Sequence, residues 1–103
     1  MKNIFQALPE DLSAEVFEAI AESNTVKIER IVSQGHTTPT DEWYDQDCQE
    51  WVIVLQGEAA LTFESGDTVH LTPGCYLNIA AHQRHRVTWT DPTQVTIWLA
   101  VHY

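Results

Sequence analysis

The strongest constraint in this chain is a period of two. From position 50 onward apolar and polar residues alternate through short runs, and each run closes on a turn signal: Gln56-Gly57, Ser65-Gly66-Asp67, Pro73-Gly74 and Asp91-Pro92. Alternation sends successive side chains to opposite faces of a strand, while Gly, Pro, Asn and Asp supply the backbone angles that tight turns require. The spacing predicts strands over residues 51–56, 58–64, 68–71, 76–80, 85–90 and 94–102, preceded by one over 25–33. Ala59, Leu61 and Phe63 share one face, as do Val69 and Leu71, which makes Ser65-Gly66-Asp67 the bend of a hairpin. Val95, Ile97, Leu99 and Val101 repeat the pattern at the end. Strands this short, joined by tight turns without helices between them, indicate an all-β antiparallel sandwich or barrel rather than a βαβ fold. Nearer the start, Leu12, Val16, Phe17 and Ile20 recur at helical spacing, with Pro9 and Asp11 at the entry and Ser23-Asn24 at the exit. One short helix is therefore expected within residues 12–22, packed outside the barrel.

A chain of 103 residues with 44% hydrophobic content can build one core. The expectation is a single domain, with 1–24 as an N-terminal helical extension and 25–103 as the barrel. With 15 acidic residues against 5 basic, the net charge of −10 repels phosphate backbones and anionic lipid, and no cluster of Lys or Arg offsets it locally. Nucleic acid and membrane are thus not expected as partners. The N-terminus has no apolar core of signal-peptide length, and no segment approaches the roughly 20 apolar residues of a membrane helix, so a soluble, cytoplasmic protein is expected. Cys48 and Cys75 lie far apart without CxxC spacing and are read as reduced thiols, Cys48 either as an incidental small residue or as a soft ligand near Glu50.

Two segments carry chemistry. In WYDQDCQEWVIVLQG, Glu50 is followed after six residues by Gly57, and in PGCYLNIAAHQRHRVTW, Gly74, Ile79 and His85 keep a fixed spacing. In this respect the chain resembles the cupin family, small double-stranded β-helix barrels of the jelly-roll group, over roughly residues 25–103. The first family motif, G-x5-H-x-H-x3,4-E-x6-G, survives in its second half. The second, G-D-x3-I-P-x-G-x2-H-x3-N, survives at Gly74, Ile79 and His85. The departures are specific: the two histidines of the first motif fall on Tyr44 and Gln46, and in the second Cys75, Ala80, His82 and Trp89 replace Asp, Pro, Gly and Asn.

Carried over by position, the resemblance implies a metal-ligand set of Gln46, Glu50 and His85, with Tyr44 as a further donor or a hydrogen-bonding group. Such a mixed oxygen and nitrogen set suits a divalent Zn, Mn, Fe or Ni ion, though it lacks the imidazole richness of tight sites. His82 forms an HxxH pair with His85 and converges on it only from the turn before the strand; His36, in GHTTP, is a weaker candidate that folds back to the mouth. By alternation Trp89 shares a face with His85 and Val87 and walls the pocket together with Tyr44 and His82. Arg84 and Arg86 flank His85, should point away from it, and are expected to pair with surface carboxylates. In the metal-free alternative, His85 is a buried imidazole hydrogen-bonded to Glu50.

Two functions follow from the resemblance. One is a metal-assisted small-molecule enzyme, an isomerase, lyase or oxygenase in which Glu50 or Tyr44 moves a proton. The other is a metal-free, non-catalytic binding or sensing module for a small polar ligand. A homodimer is expected in either case, because four tryptophans in so small a barrel leave apolar surface to cover.

Overall fold

The computed structural model describes residues 1–103. Eight strands form: β1 (Val16–Glu22), β2 (Lys27–Ser33), β3 (Glu50–Gln56), β4 (Ala59–Phe63), β5 (Thr68–Leu71), β6 (Tyr76–Ile79), β7 (His85–Thr90) and β8 (Thr96–His102). They make a five-stranded sheet, ordered β1-β2-β8-β3-β6, and a three-stranded sheet, ordered β5-β4-β7. Every pairing is antiparallel. The expected strands and the β4–β5 hairpin are present, with ends within a residue or two of those read from the alternation.

The expected N-terminal helix is absent. Residues 16–22 are instead β1, running from Val16 opposite Val32 to Glu22 opposite Lys27, with a register shift between Ala19 and Ala21. A short apolar run fits either period, and here the free edge of β2 decides: pairing there satisfies the backbone along β1 and half-buries Val16 and Glu18. Since no other helix forms, none is long and apolar enough to cross a membrane.

The sheets face each other across one core. Ile31 of β2, Val52 and Val54 of β3, and Trp98 and Ala100 of β8 pack against Ala59, Leu61 and Phe63 of β4, closed by Leu71 and Ile79. On the outer side of the large sheet, Arg30 is 7% exposed. Its guanidinium donates to the carbonyls of Ile4, Gln6 and Ala7 and to both carboxylate oxygens of Glu18. The N-terminal segment is thereby folded back over its own sheet.

The chain between β2 and β3 serves as an irregular extra strand along β7. Thr38 N–H donates to the Val87 carbonyl, Val87 N–H to Thr38 Oγ1, and Tyr44 and His85 exchange backbone hydrogen bonds in an isolated bridge. That bridge carries Tyr44 and Gln46 to the barrel interior.

Gly57, the motif glycine after β3, has φ +85°, and a Cβ there would lie 2.3 Å from Thr96 Oγ1 and 2.6 Å from Thr96 Cα. Gly66, in the β4–β5 bend, has φ +101° with open space around it. Gly57→Ala is therefore expected to cost about 3 kcal/mol or more, against about 1 kcal/mol for Gly66→Ala. Chemical denaturation of the two variants checks the difference, and equal losses would contradict the packing argument.

Candidate functional site

Glu50 opens β3 on its inner face, opposite His102 of β8 and Ile79 of β6. It is 8% exposed, and three polar side chains surround it. Gln46 Nε2 donates to its Oε1 at 2.9 Å; His85 Nε2 stands 3.6 Å from the same oxygen, and His102 Nε2 3.9 Å from Oε2. His102 is in turn bonded to Glu29 Oε1 at 2.8 Å, and Lys27 Nζ lies 3.5 Å from Glu29 Oε2. Carboxylates and imidazoles thus alternate through Glu29, His102, Glu50 and His85.

His85 is fixed from several sides. Its Nδ1–H donates to the Gln83 carbonyl at 2.9 Å, which turns Nε2 toward Glu50. Its ring lies against those of Tyr44 and Phe63, with centroids 5.6 Å and 6.2 Å away.

A cavity of about 150 Å³ opens beside this cluster. Ile31, Val52, Leu61, Val87 and Trp98 supply an apolar wall, Phe17 stands half-exposed at the edge strand, and Glu15, Glu29, Tyr44, Gln46, Glu50, His85 and His102 supply the polar groups. Neither Lys nor Arg lines it.

Of the residues singled out in the sequence, Tyr44, Gln46, Glu50 and His85 come together here. His82 does not: it adopts a left-handed φ of +63°, stays exposed, and bonds Asp45 through Nδ1. Trp89 does not either. A bulge where β7 meets β4 sets Leu61 opposite Val87 but Ala60 opposite Trp89, so the alternation slips and the indole stacks on His70 at the outer surface. His36 is spent elsewhere, accepting from Gln34 N–H at Nδ1 and donating from Nε2 to the Leu12 carbonyl. Arg84 pairs with Asp45 and Glu64, and Arg86 lies over Trp43, both away from the cavity.

The reading of the sequence missed Glu15, Glu29 and His102. The signal for His102 lay in β8, where Thr96, Trp98, Ala100 and His102 share the inner face, whereas the more apolar alternate set had drawn attention. Glu29 shares β2's inner face with Ile31 by the same rule. Nothing local marks Glu15, which reaches the cavity through its bond to Ser33.

Burial alone would push the Glu50 carboxyl up. The His85 and Gln46 contacts and the nearby imidazoles outweigh burial and hold it below its ordinary range. His85 is the mirror case: burial opposes its charge, yet Glu50 and the Gln83 carbonyl raise its pKa. Glu15 is raised, chiefly by burial. Burial and the nearby Glu15 raise Tyr44, which stays a neutral phenol.

The chain belongs to the cupin family: the cupin domain model matches residues 29–102. Among solved structures, a protein of Ralstonia eutropha JMP134 named as a candidate mannose-6-phosphate isomerase is 41% identical, with TM-score 0.94 over 99% of this chain and 95% of that one. A cupin superfamily protein of Desulfitobacterium hafniense DCB-2 is 21% identical, with TM-score 0.76 over 92% and 82%. The cobalt(II) form of HppE in complex with Tris buffer shares the fold at 17% identity and TM-score 0.72, over 86% of this chain and 53% of that one. No curated protein matches the chain.

Cupins often hold a metal, and the donor set here tests whether this chain fits one. No three His, Cys, Asp or Glu side chains converge as a metal centre requires. Glu50 Oε1 already accepts from Gln46, and His102 is turned to Glu29. Tyr44, held as a phenol, is a poor ligand beside the histidine the family places there. The residues as arranged do not fit the group.

The Glu50–His85 pair has a definite pH signature. Glu50, depressed from 4.5, stabilises the fold above that value and loses its contribution as pH falls through its lowered pKa. His85, raised from 6.5, stabilises the fold below 6.5 and loses its contribution as pH rises through its folded pKa. Glu50→Gln should therefore cost most between the two ordinary values, about 1–2 kcal/mol, and less on either side. Denaturation across pH checks this, and NMR titration should show the His85 pKa falling in the variant; an unmoved His85 would contradict the pairing.

Proposed function

We propose that the barrel cavity binds one small organic molecule and that Glu50 and His85 move a proton on it, as in an isomerase or lyase. The observation that carries this reading is the pair itself: a carboxyl whose pKa is lowered and an imidazole whose pKa is raised face each other where the polar end of the cavity meets its apolar wall. Groups whose environments push their proton affinities apart are suited to act as base and acid. Glu50 takes the proton, His85 returns one, and Tyr44, as a neutral phenol, donates a hydrogen bond to developing negative charge.

The name given to the Ralstonia relative supports the reaction type, since exchange between aldose and ketose is proton movement next to a carbonyl. It does not carry the substrate across. A sugar phosphate brings a dianion into a cavity lined by three glutamates and no Lys or Arg, and about 150 Å³ is small for it. The reaction is accordingly drawn without a metal ion and for a smaller molecule. A non-catalytic binding module is the second reading, favoured by Tyr44 and Gln46 standing where the family's histidines would be.

Deuterium exchange separates the two. For a small molecule that binds the wild type, transfer of carbon-bound hydrogen to D₂O should fall about a hundredfold or more in Glu50→Gln with affinity little changed. Binding without exchange would leave the module reading. Elemental analysis of untagged protein should find no stoichiometric Zn, Mn, Fe or Ni; a full complement lost in His85→Ala would overturn the metal-free scheme.

A homodimer belongs to the same proposal. The large sheet is apolar on both faces, and its outer face carries half-buried Trp51, Ile53, Leu55, Leu99 and Val101, with Tyr76 66% exposed on the edge strand β6. A second copy packed there would cover them. Light scattering at micromolar concentration should give twice the chain mass, and a monomer would refute it.

A further inference from the structure

The two carboxylate oxygens of Glu50 are not alike. Oε1 accepts from Gln46 Nε2 and faces His85, whereas no side chain donates to Oε2. Oε2 nevertheless keeps open surface, because the fully buried side-chain atoms without partners are Arg86 Nε and Trp98 Nε1. Glu50 lines the cavity, so Oε2 is the oxygen that a bound molecule meets. His102 Nε2 stands 3.9 Å from it, too far for a hydrogen bond. The reason lies on the other side of the ring. β8 runs between β2 and β3, and this order sets His102 between two carboxylates. Glu29, 6% exposed, holds Nε2 through its Oε1 at 2.8 Å. Facing a carboxylate oxygen at that distance, Nε2 carries a hydrogen, and one N–H cannot serve both acids.

We infer that Glu29 is a positioning residue for the proton transfer: by taking the Nε2–H of His102 it keeps that donor off Glu50 Oε2, the oxygen that receives the proton. The inference rests on the proposed role of Glu50 as base and adds which oxygen reacts and what keeps it free. A donor on Oε2 would occupy it and stabilise its charge, which makes a poorer proton acceptor. Without Glu29, a shift of about 1 Å would bring Nε2 to hydrogen-bond distance of Oε2. Losing either partner of an ordinary ion pair has one and the same effect. Here the two losses act in opposite directions: removing Glu29 caps the base, and removing His102 takes the cap away.

The test uses propylene oxide, which is small enough for a cavity of about 150 Å³. It esterifies an ionised carboxylate: the carboxylate oxygen bonds to an epoxide carbon, the ring C–O bond breaks, and the freed alkoxide takes a proton from water. Peptide mapping by mass spectrometry at neutral pH follows the labelling of Glu50, with the exposed Cys75 as internal measure of the reagent. Glu50 should be labelled in the wild type and about tenfold or more slowly in Glu29→Ala. His102→Phe should label at least as fast as the wild type, and the double variant Glu29→Ala/His102→Phe should recover that rate. Glu29→Gln, whose amide oxygen still accepts from His102, should stay close to the wild type. Should Glu29→Ala fail to fold, His102→Phe decides: labelling slower than in the wild type overturns the inference. An unslowed Glu29→Ala, slowing alike in Glu29→Ala and His102→Phe, or a double variant that stays slow overturns the role of Glu29 while Glu50 stands as an accessible base. Absence of label on Glu50 in the wild type, with Cys75 labelled, overturns the open oxygen and with it both the inference and the proposed base.

Discussion

The antiparallel register of β3 on β8 is the constraint from which the interior follows. It sets Glu50 opposite His102, Val52 opposite Ala100 and Val54 opposite Trp98 on one inner face. Polar groups therefore gather at one end of the pairing and apolar ones toward the other. A slip of one residue would turn Trp51 and Ile53 inward and carry Glu50 to the outside. The tight fit of Gly57 against Thr96 guards against such a slip, because the turn that ends β3 closes onto the first residue of β8.

Much of this was legible in the sequence for a simple reason: period-two alternation and turn residues are local signals. Strands β2 to β8 could be read from them, and so could the meeting of Glu50 with His85, through the resemblance of two short segments to a family. What could not be read depends on partners far away in the chain. Val16 to Glu22 satisfies either period, and only the free edge of β2 makes it a strand. Trp89 obeys the alternation until a bulge, fixed by its pairing with β4, turns it outward. His102 and Glu29 stand at ordinary inward positions, but their meeting requires β2 and β8 to be neighbours, although they are separated by most of the sequence. Glu15 precedes β1 and owes its place to Ser33.

In this barrel Tyr44 and Gln46 stand where the family motif has histidines. A carboxylate beside a cation needs no other counter-charge. Without one it must find hydrogen bonds or protonate. Glu50 finds them in Gln46, His85 and His102, while Glu29 finds His102 and Lys27. Both carboxylates are thus held by side-chain contacts within the barrel.

The segment between β2 and β3 has a further consequence. It brings Tyr44 and Gln46 to the cavity and is tied to β7 by the same backbone bridge that braces His85. Lifting it away would uncover the interior and, in the same movement, withdraw the phenol and the amide and loosen the imidazole. The stretch of chain that walls this side of the cavity is thus also the one that furnishes its phenol and its amide, so neither can be altered without altering the other.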